Sequence, residues 1–151
     1  MKMIKIMFVC HGNICRSPMA EFVMKDMVEK EGLDEYFYIS SCATSTEEIG
    51  NPVYPPARRE LAKHGISCEG KRARQLKKTD YEDYDLFIGM DDWNIQNMKK
   101  ILKNDQKIRK LLENKDVADP WYTGNFEKTY EDIEKGCQNL LKNTKSLLKK
   151  Y

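Results

Sequence analysis

Ten consecutive residues, Val9-Cys10-His11-Gly12-Asn13-Ile14-Cys15-Arg16-Ser17-Pro18, restrict what this chain can fold into more than any other stretch. They follow a short run of apolar and β-branched residues, 3–9, that reads as a buried strand. They lead into a segment with helix-start signals: Ser17 as N-cap, Pro18 at the first helical position and Glu21 complementing the dipole. Ala20, Val23, Met24 and Met27 then form one apolar stripe ending near Gly32. A strand, a tight loop and a helix in direct succession predict a parallel sheet with crossover helices.

The rest of the chain continues the alternation. Strands are expected at 37–41, 86–90 and 108–112, and helices at 56–64, with Gly65 just past the end, and at 91–102. Residues 114–125 read as a loop. Ile133, Cys137, Leu140, Leu141, Thr144, Leu147 and Leu148 recur at helical spacing with lysines between them. The expected fold is therefore α/β, one domain over 1–151, with its ligand site at the carboxyl end of the first strand.

Composition removes several alternatives. Hydrophobic residues are 40% and charged residues 33%, too apolar and too mixed for a disordered chain. The first apolar run stops at Cys10, too early for a signal peptide, and nothing later is long enough to span a membrane. Five cysteines (Cys10, Cys15, Cys42, Cys68, Cys137), without a CxxC pair, disfavour a disulfide framework or a structural zinc site. A reducing cytoplasm is the expected setting, without cofactor or metal. Residues 57–78 carry eight Lys or Arg against two Glu, but no aromatics interleave them, which disfavours nucleic acid as a partner. A positive rim that attracts an anionic substrate fits equally well.

The loop itself suits phosphate chemistry. Gly12 and Asn13 tolerate the backbone angles that let successive N–H groups point inward, and the helix dipole adds positive potential. In that field a thiolate is stabilised, which makes Cys10 the candidate nucleophile. Arg16 offers a planar fork matching two oxygens of a phosphoryl group. The bare Cys-x5-Arg spacing recurs at Cys68 and Arg74, but there it lacks a preceding strand and a following helix. Ser17 can also donate to the Cys10 sulfur, and Cys15 is either a mere loop residue or, beside a low-pKa thiolate, able to form a protective disulfide with Cys10.

A leaving alkoxide or phenolate needs an acid. Asp119 is the best candidate, because Pro120 forces it into an extended conformation and Trp121 and Tyr122 can wall an aromatic substrate; Asp91, Asp92 and Asp116 compete. Of the two histidines, His11 contributes through its backbone, and His64, before Gly65, reads as structural.

Together these residues resemble the low-molecular-weight protein tyrosine phosphatases, whose V-C-x-G-N-x-C-R-S-P pattern is met from Val9 to Pro18. The likeness continues through Ala20-Glu21, Ser41-Cys42-Ala43-Thr44-Ser45, His64-Gly65-Ile66, Ala73-Arg74-Gln75, Met90-Asp91 and Asp119-Pro120. It implies a four-stranded parallel sheet with helices on both faces. His11, Gly12, Asn13, Ile14, Cys15 and Arg16 would bind phosphate, Cys10 would attack it, and Asp119 would serve as acid and then base. Asn13 would hold the loop in a strained form, and Cys15 would be the redox partner of Cys10. The implied partners are phosphotyrosine proteins, with inorganic phosphate or other oxyanions as product or inhibitor, and the chain is expected to act as a monomer.

Two positions depart from the pattern: Glu47 stands where many relatives line the cleft with an aromatic, and Arg72 stands near the place of a loop-supporting histidine. Arsenate reductases that look similar need further cysteines in mid-chain, where 80–90 has none, and similar protein arginine phosphatases typically carry threonine where Ile14 stands. A phosphate-binding module without turnover would need neither Cys10 nor Asp119.

Overall fold

The computed structural model describes residues 3–148. Met1, Lys2 and residues 149–151 lie outside the described residues, so the ends of the expected 1–151 domain are not placed.

Strand β1 (Ile4–Cys10) runs into helix α1 (Arg16–Lys30), then β2 (Phe37–Ala43) and α2 (Pro55–Lys63). A short α3 (Asp80–Asp83) precedes β3 (Leu86–Gly89) and α4 (Asp92–Leu102). After β4 (Ile108–Lys110) come α5 (Pro120–Thr123) and the long α6 (Phe126–Leu148). The four strands form a parallel sheet in the order β2-β1-β3-β4. The chain reverses its winding direction around β1, and the carboxyl end of β1 therefore opens at a switch point.

Alternation along β1 divides the core. Ile4, Ile6, Phe8 and Cys10 pack with residues of α1, α2 and α6. Met7 and Val9 face the opposite side, with Phe87, Met98 and Leu102. A strand covered on both faces must be apolar on both, which explains its unbroken hydrophobic run. Apart from the half-exposed Met3 and the exposed Lys5, every residue of the predicted strand is buried.

Several boundaries differ from the sequence expectation, each for a local reason. Helix α1 starts at Arg16 with Cys15 in the cap position and no side-chain cap bond, so Ser17 is not the N-cap and Pro18 is the third helical residue. Proline is still tolerated there, because N–H groups of the first turn have no intrahelical partner. Glu21 lies outside the first turn and is buried, bound to other side chains and not to the dipole. Helix α2 starts one residue early at Pro55, and Gly65 follows its cap at φ +73, releasing Ile66 N–H to the Leu61 carbonyl. Strand β2 runs two residues beyond Ser41, whereas β3 and β4 stop short of Met90 and Leu112. The expected loop 114–125 contains α5, one helical turn capped by Asp119.

At Gly136, α6 packs tightly on the residue that follows β4: a Cβ there would lie 2.5 Å from Leu111 Cγ. Helix propensity favours Gly136→Ala by ~1 kcal/mol, but overpacking against Leu111, whose Cγ, Cδ1 and Cδ2 all lie within 3.0 Å of that Cβ, costs ~1–3 kcal/mol. We therefore expect Gly136→Ala to lower stability by ~1 kcal/mol in urea unfolding, whereas a neutral or stabilising result would mean that Leu111 moves freely.

Candidate active site

Beyond Cys10 the chain turns back on itself through Asn13, a non-glycine residue at φ +60. The Asn13 amide offsets the strain. Its Nδ2 donates to Ser17 Oγ (2.8 Å) and to Ser41 Oγ (2.9 Å), and its Oδ1 accepts from Arg74 N–H (3.3 Å). Gly12 does not take a left-handed conformation, so the expectation of two unusual residues holds for Asn13 alone.

The loop carbonyls are bound outward. Thr44 N–H donates to Cys10 O, Ser45 N–H and Oγ donate to His11 O, and Tyr54 N–H donates to Ile14 O. In a trans peptide the N–H points opposite to its carbonyl, and no described peptide is cis. The N–H groups of His11, Gly12 and Cys15 are consequently turned away from those partners. That is the wrapped arrangement of inward amides suited to an anion.

Cys10 lies deep in a cavity of about 390 Å³, 4% exposed. Three groups converge on its sulfur: Ser17 Oγ at 3.0 Å, Asn13 N–H at 3.3 Å and Ser17 N–H at 3.4 Å. Because Ser17 Oγ accepts from Asn13, its own proton is available to the sulfur or to the more distant Cys42 carbonyl at 3.4 Å. Behind this group, Ser41 Oγ donates to buried Glu21 (2.6 Å), which pairs with Lys25 at 2.6 Å and Lys71 at 3.5 Å. Glu21, Ser41 and Arg74 thus support the loop, a function invisible in a linear reading because their spacing has no local meaning.

Arg16, 4% exposed, is held from the far side of the cavity. Its Nη1 donates to Asp91 Oδ2 (2.9 Å) and to the Val117 carbonyl (3.1 Å), and its Nη2 to Asp119 Oδ2 (3.3 Å). Burial alone would lower the guanidinium, but Cys10, Asp119 and Asp91 outweigh it and hold Arg16 above the ordinary arginine range. Asp91 caps α4 in a reciprocal box with Asn94, and Asp119 caps α5 by accepting from Trp121 N–H. Asp119 is extended, as Pro120 requires.

Of the competing carboxylates, Asp91 also lines the cavity, whereas Asp92 and Asp116 are drawn to Lys110. Trp121 and Tyr122 line the mouth. Trp93, Asn94 and Glu48 join them without having been singled out by the sequence. Trp93 sits in an ordinary first turn of an amphipathic helix, and no local pattern separates it from a solvent-facing residue.

The two departures are also placed. Glu47 lines the mouth and pairs with the His11 ring at 2.9 Å, so His11 acts through its side chain as well as its backbone. Arg72 bonds the Gly50 carbonyl and does not reach Asn13, whose support comes from Ser17, Ser41 and Arg74. His64 stacks on Tyr130 at 3.7 Å and pairs with Glu60, a structural position. The second Cys-x5-Arg copy is not a site of this kind: the Arg74 guanidinium is engaged bidentately by Asp80. No cluster of three metal-ligating side chains occurs among the described residues, and no described helix is long and apolar enough to cross a membrane.

The cysteines are chemically unequal. All five are free thiols. Burial, with Cys10 and Asp119, pushes Cys15 up to about 12, and burial likewise raises Cys42, Cys68 and Cys137. We expect one equivalent of iodoacetamide to label Cys10 alone at pH 7, with inorganic phosphate slowing the reaction; peptide mapping that finds Cys15 or Cys68 labelled first would contradict this geometry.

Comparison with known proteins assigns the chain and its fold to a family. The low molecular weight phosphotyrosine protein phosphatase family matches residues 5–150. The chain is 41% identical over 147 residues to the low molecular weight protein-tyrosine-phosphatase YfkJ of Bacillus subtilis, covering 92% of this chain and 94% of that protein. The crystal structure of YfkJ superposes with a TM-score of 0.92 over 97% of both chains. The low molecular weight protein tyrosine phosphatase SP-PTP from Streptococcus pyogenes is 43% identical, with a TM-score of 0.87 over 93% of both. A Drosophila arginine phosphatase shares the fold at 26% identity and a TM-score of 0.86, covering 94% of this chain and 98% of that one, so the fold alone does not choose the substrate. With a family match over nearly its whole length, the chain belongs to the low molecular weight phosphotyrosine protein phosphatases and is a phosphatase enzyme.

Proposed function

We propose that this enzyme hydrolyses phosphotyrosine, on proteins and on small aryl phosphates, through a cysteinyl-phosphate on Cys10. The observation that carries the reading is the convergence of Ser17 Oγ, Ser17 N–H and Asn13 N–H on the Cys10 sulfur, in a cavity also lined by Arg16 and Asp119.

The sulfur attacks phosphorus in line, forming the S–P bond as the bond to the phenolic oxygen breaks. Amides of the His11 to Arg16 loop and the Arg16 fork carry the charge on the phosphoryl oxygens. Asp91 and the Val117 carbonyl fix Arg16 Nη1, and the contact to Asp119, the longest of the three at 3.3 Å, is the one that phosphate oxygens displace most easily. Asp119 gives its proton to the leaving phenolate. It then takes a proton from water, which attacks phosphorus and expels the Cys10 thiolate, with the Ser17 hydroxyl stabilising the departing sulfur. Cys15, close enough to interact with Cys10, is the redox partner in this reading.

Phosphotyrosine is favoured over phosphoarginine by the apolar Ile14 side chain at the cavity wall and by the aromatic residues at its mouth. We expect Cys10→Ser to abolish hydrolysis of p-nitrophenyl phosphate and Asp119→Ala to slow it by about 10²–10⁴-fold. Substantial turnover by Cys10→Ser would refute the covalent route, and phosphate binding by an inactive wild type would point to a non-catalytic module.

A further inference from the structure

The chain has two tryptophans, Trp93 and Trp121, and both line the same cavity although one follows β3 and the other β4. Trp121 sits on α5, beside the acid Asp119. Trp93 sits on the first turn of α4, two residues after Asp91. They are 57% and 59% exposed, unusual for the side chain that most favours partial burial. Large apolar surface left in water at the rim of a concave site is surface available to a ligand.

The Trp121 indole is backed by another ring, and Trp93 by the anchored start of its helix. The Trp121 ring packs on Tyr54, with centroids 5.2 Å apart, and Tyr54 in turn on Phe126 and, through its N–H, on the Ile14 carbonyl. Trp93 is carried by a helix whose cap residue, Asp91, is held by both Arg16 and Asn94, and Lys100 Nζ lies 6.0 Å from its ring centre. A helix start anchored through the residue that holds the phosphate-binding arginine sets the attachment point of the indole relative to the phosphate site, which is what a specificity wall requires.

We propose that Trp93 is a specificity-determining residue of this site. It supplies a second aromatic wall, from a different loop than the Trp121 wall, and favours a phosphate borne on an aromatic ring over one borne on an alkyl chain. The inference rests on the phosphatase reading above and names the substrate feature that the site grips. It also accounts for Glu47: with Trp93 holding the ring, that position of the rim need not be aromatic and is free to pair with His11.

The test compares wild type, Trp93→Ala and Trp93→Phe on p-nitrophenyl phosphate, phosphotyrosine and a simple alkyl phosphate, with inorganic phosphate as competitive inhibitor. For Trp93→Ala we expect KM for both aryl substrates to rise about five-fold, the loss of one aromatic contact. Its kcat/KM for the alkyl phosphate and its inhibition by inorganic phosphate stay at wild-type values, and Trp93→Phe recovers most of the aryl KM. Equal losses on aryl and alkyl substrates, or no change on either, would overturn the proposal while leaving the phosphatase reading intact. A wild type inactive on every substrate would sink both. Unchanged phosphate inhibition separates a lost wall from a damaged loop.

Discussion

The whole site depends on the Asn13 amide. A non-glycine residue at φ +60 costs ~1–2 kcal/mol, and three hydrogen bonds, each with a net worth of ~0.5–1.5 kcal/mol, offset it. Those bonds reach helix α1 through Ser17, strand β2 through Ser41 and the segment before α3 through Arg74. With the turn fixed, the loop carbonyls meet partners after β2, the amides turn the other way, and Ser17 Oγ stands 3.0 Å from the sulfur. A side chain that accepts from one neighbour and donates to two others cannot be exchanged for a glycine of equal backbone freedom without loosening three elements.

Arg16 performs the corresponding task on the opposite side. Its bonds to Asp91, Val117 and Asp119 gather the connections after β3 and β4 around one guanidinium, and Val117 N–H is itself bound to the Met90 carbonyl at the end of β3. The sheet order places these connections beside the carboxyl end of β1. The proposed nucleophile and phosphate clamp thus come from the one connection after β1, and the proposed acid from the segment after β4. The two carboxylates on Arg16 both neutralise a buried charge and position the acid, so one arrangement meets the cost of burial and the needs of catalysis.

The mouth is less constrained than the loop. Glu47 and Glu48 come from the segment after β2, Trp93 from the first turn of α4, and Trp121 and Tyr122 from α5, and none of them belongs to the buried core. Such residues can change without cost to the fold, and the same fold occurs in proteins named as tyrosine and as arginine phosphatases.

What the sequence by itself determined was local: the apolar run of β1, the loop from Cys10 to Arg16, the proline that extends Asp119 and the alternation that demands a parallel sheet. Each is a short-range preference of backbone or burial and is legible within about ten residues. It misjudged the start of α1, since Ser17 obeys the capping rule as a residue type, yet its hydroxyl is taken by the Cys10 sulfur, a partner fixed by the turn at Asn13. It also missed the helical turn of α5 and the cavity residues Trp93, Glu48 and Asn94. Only the tertiary structure decided that Ser41, Glu21 and Arg74 support the loop, that Asp91 and Asp119 share Arg16 while Asp92 and Asp116 go to Lys110, and that two tryptophans 28 positions apart meet at one cavity. The physical reason is that hydrogen bonds and ring contacts between distant residues exist only once the crossovers have brought strand ends together, and no local propensity encodes them.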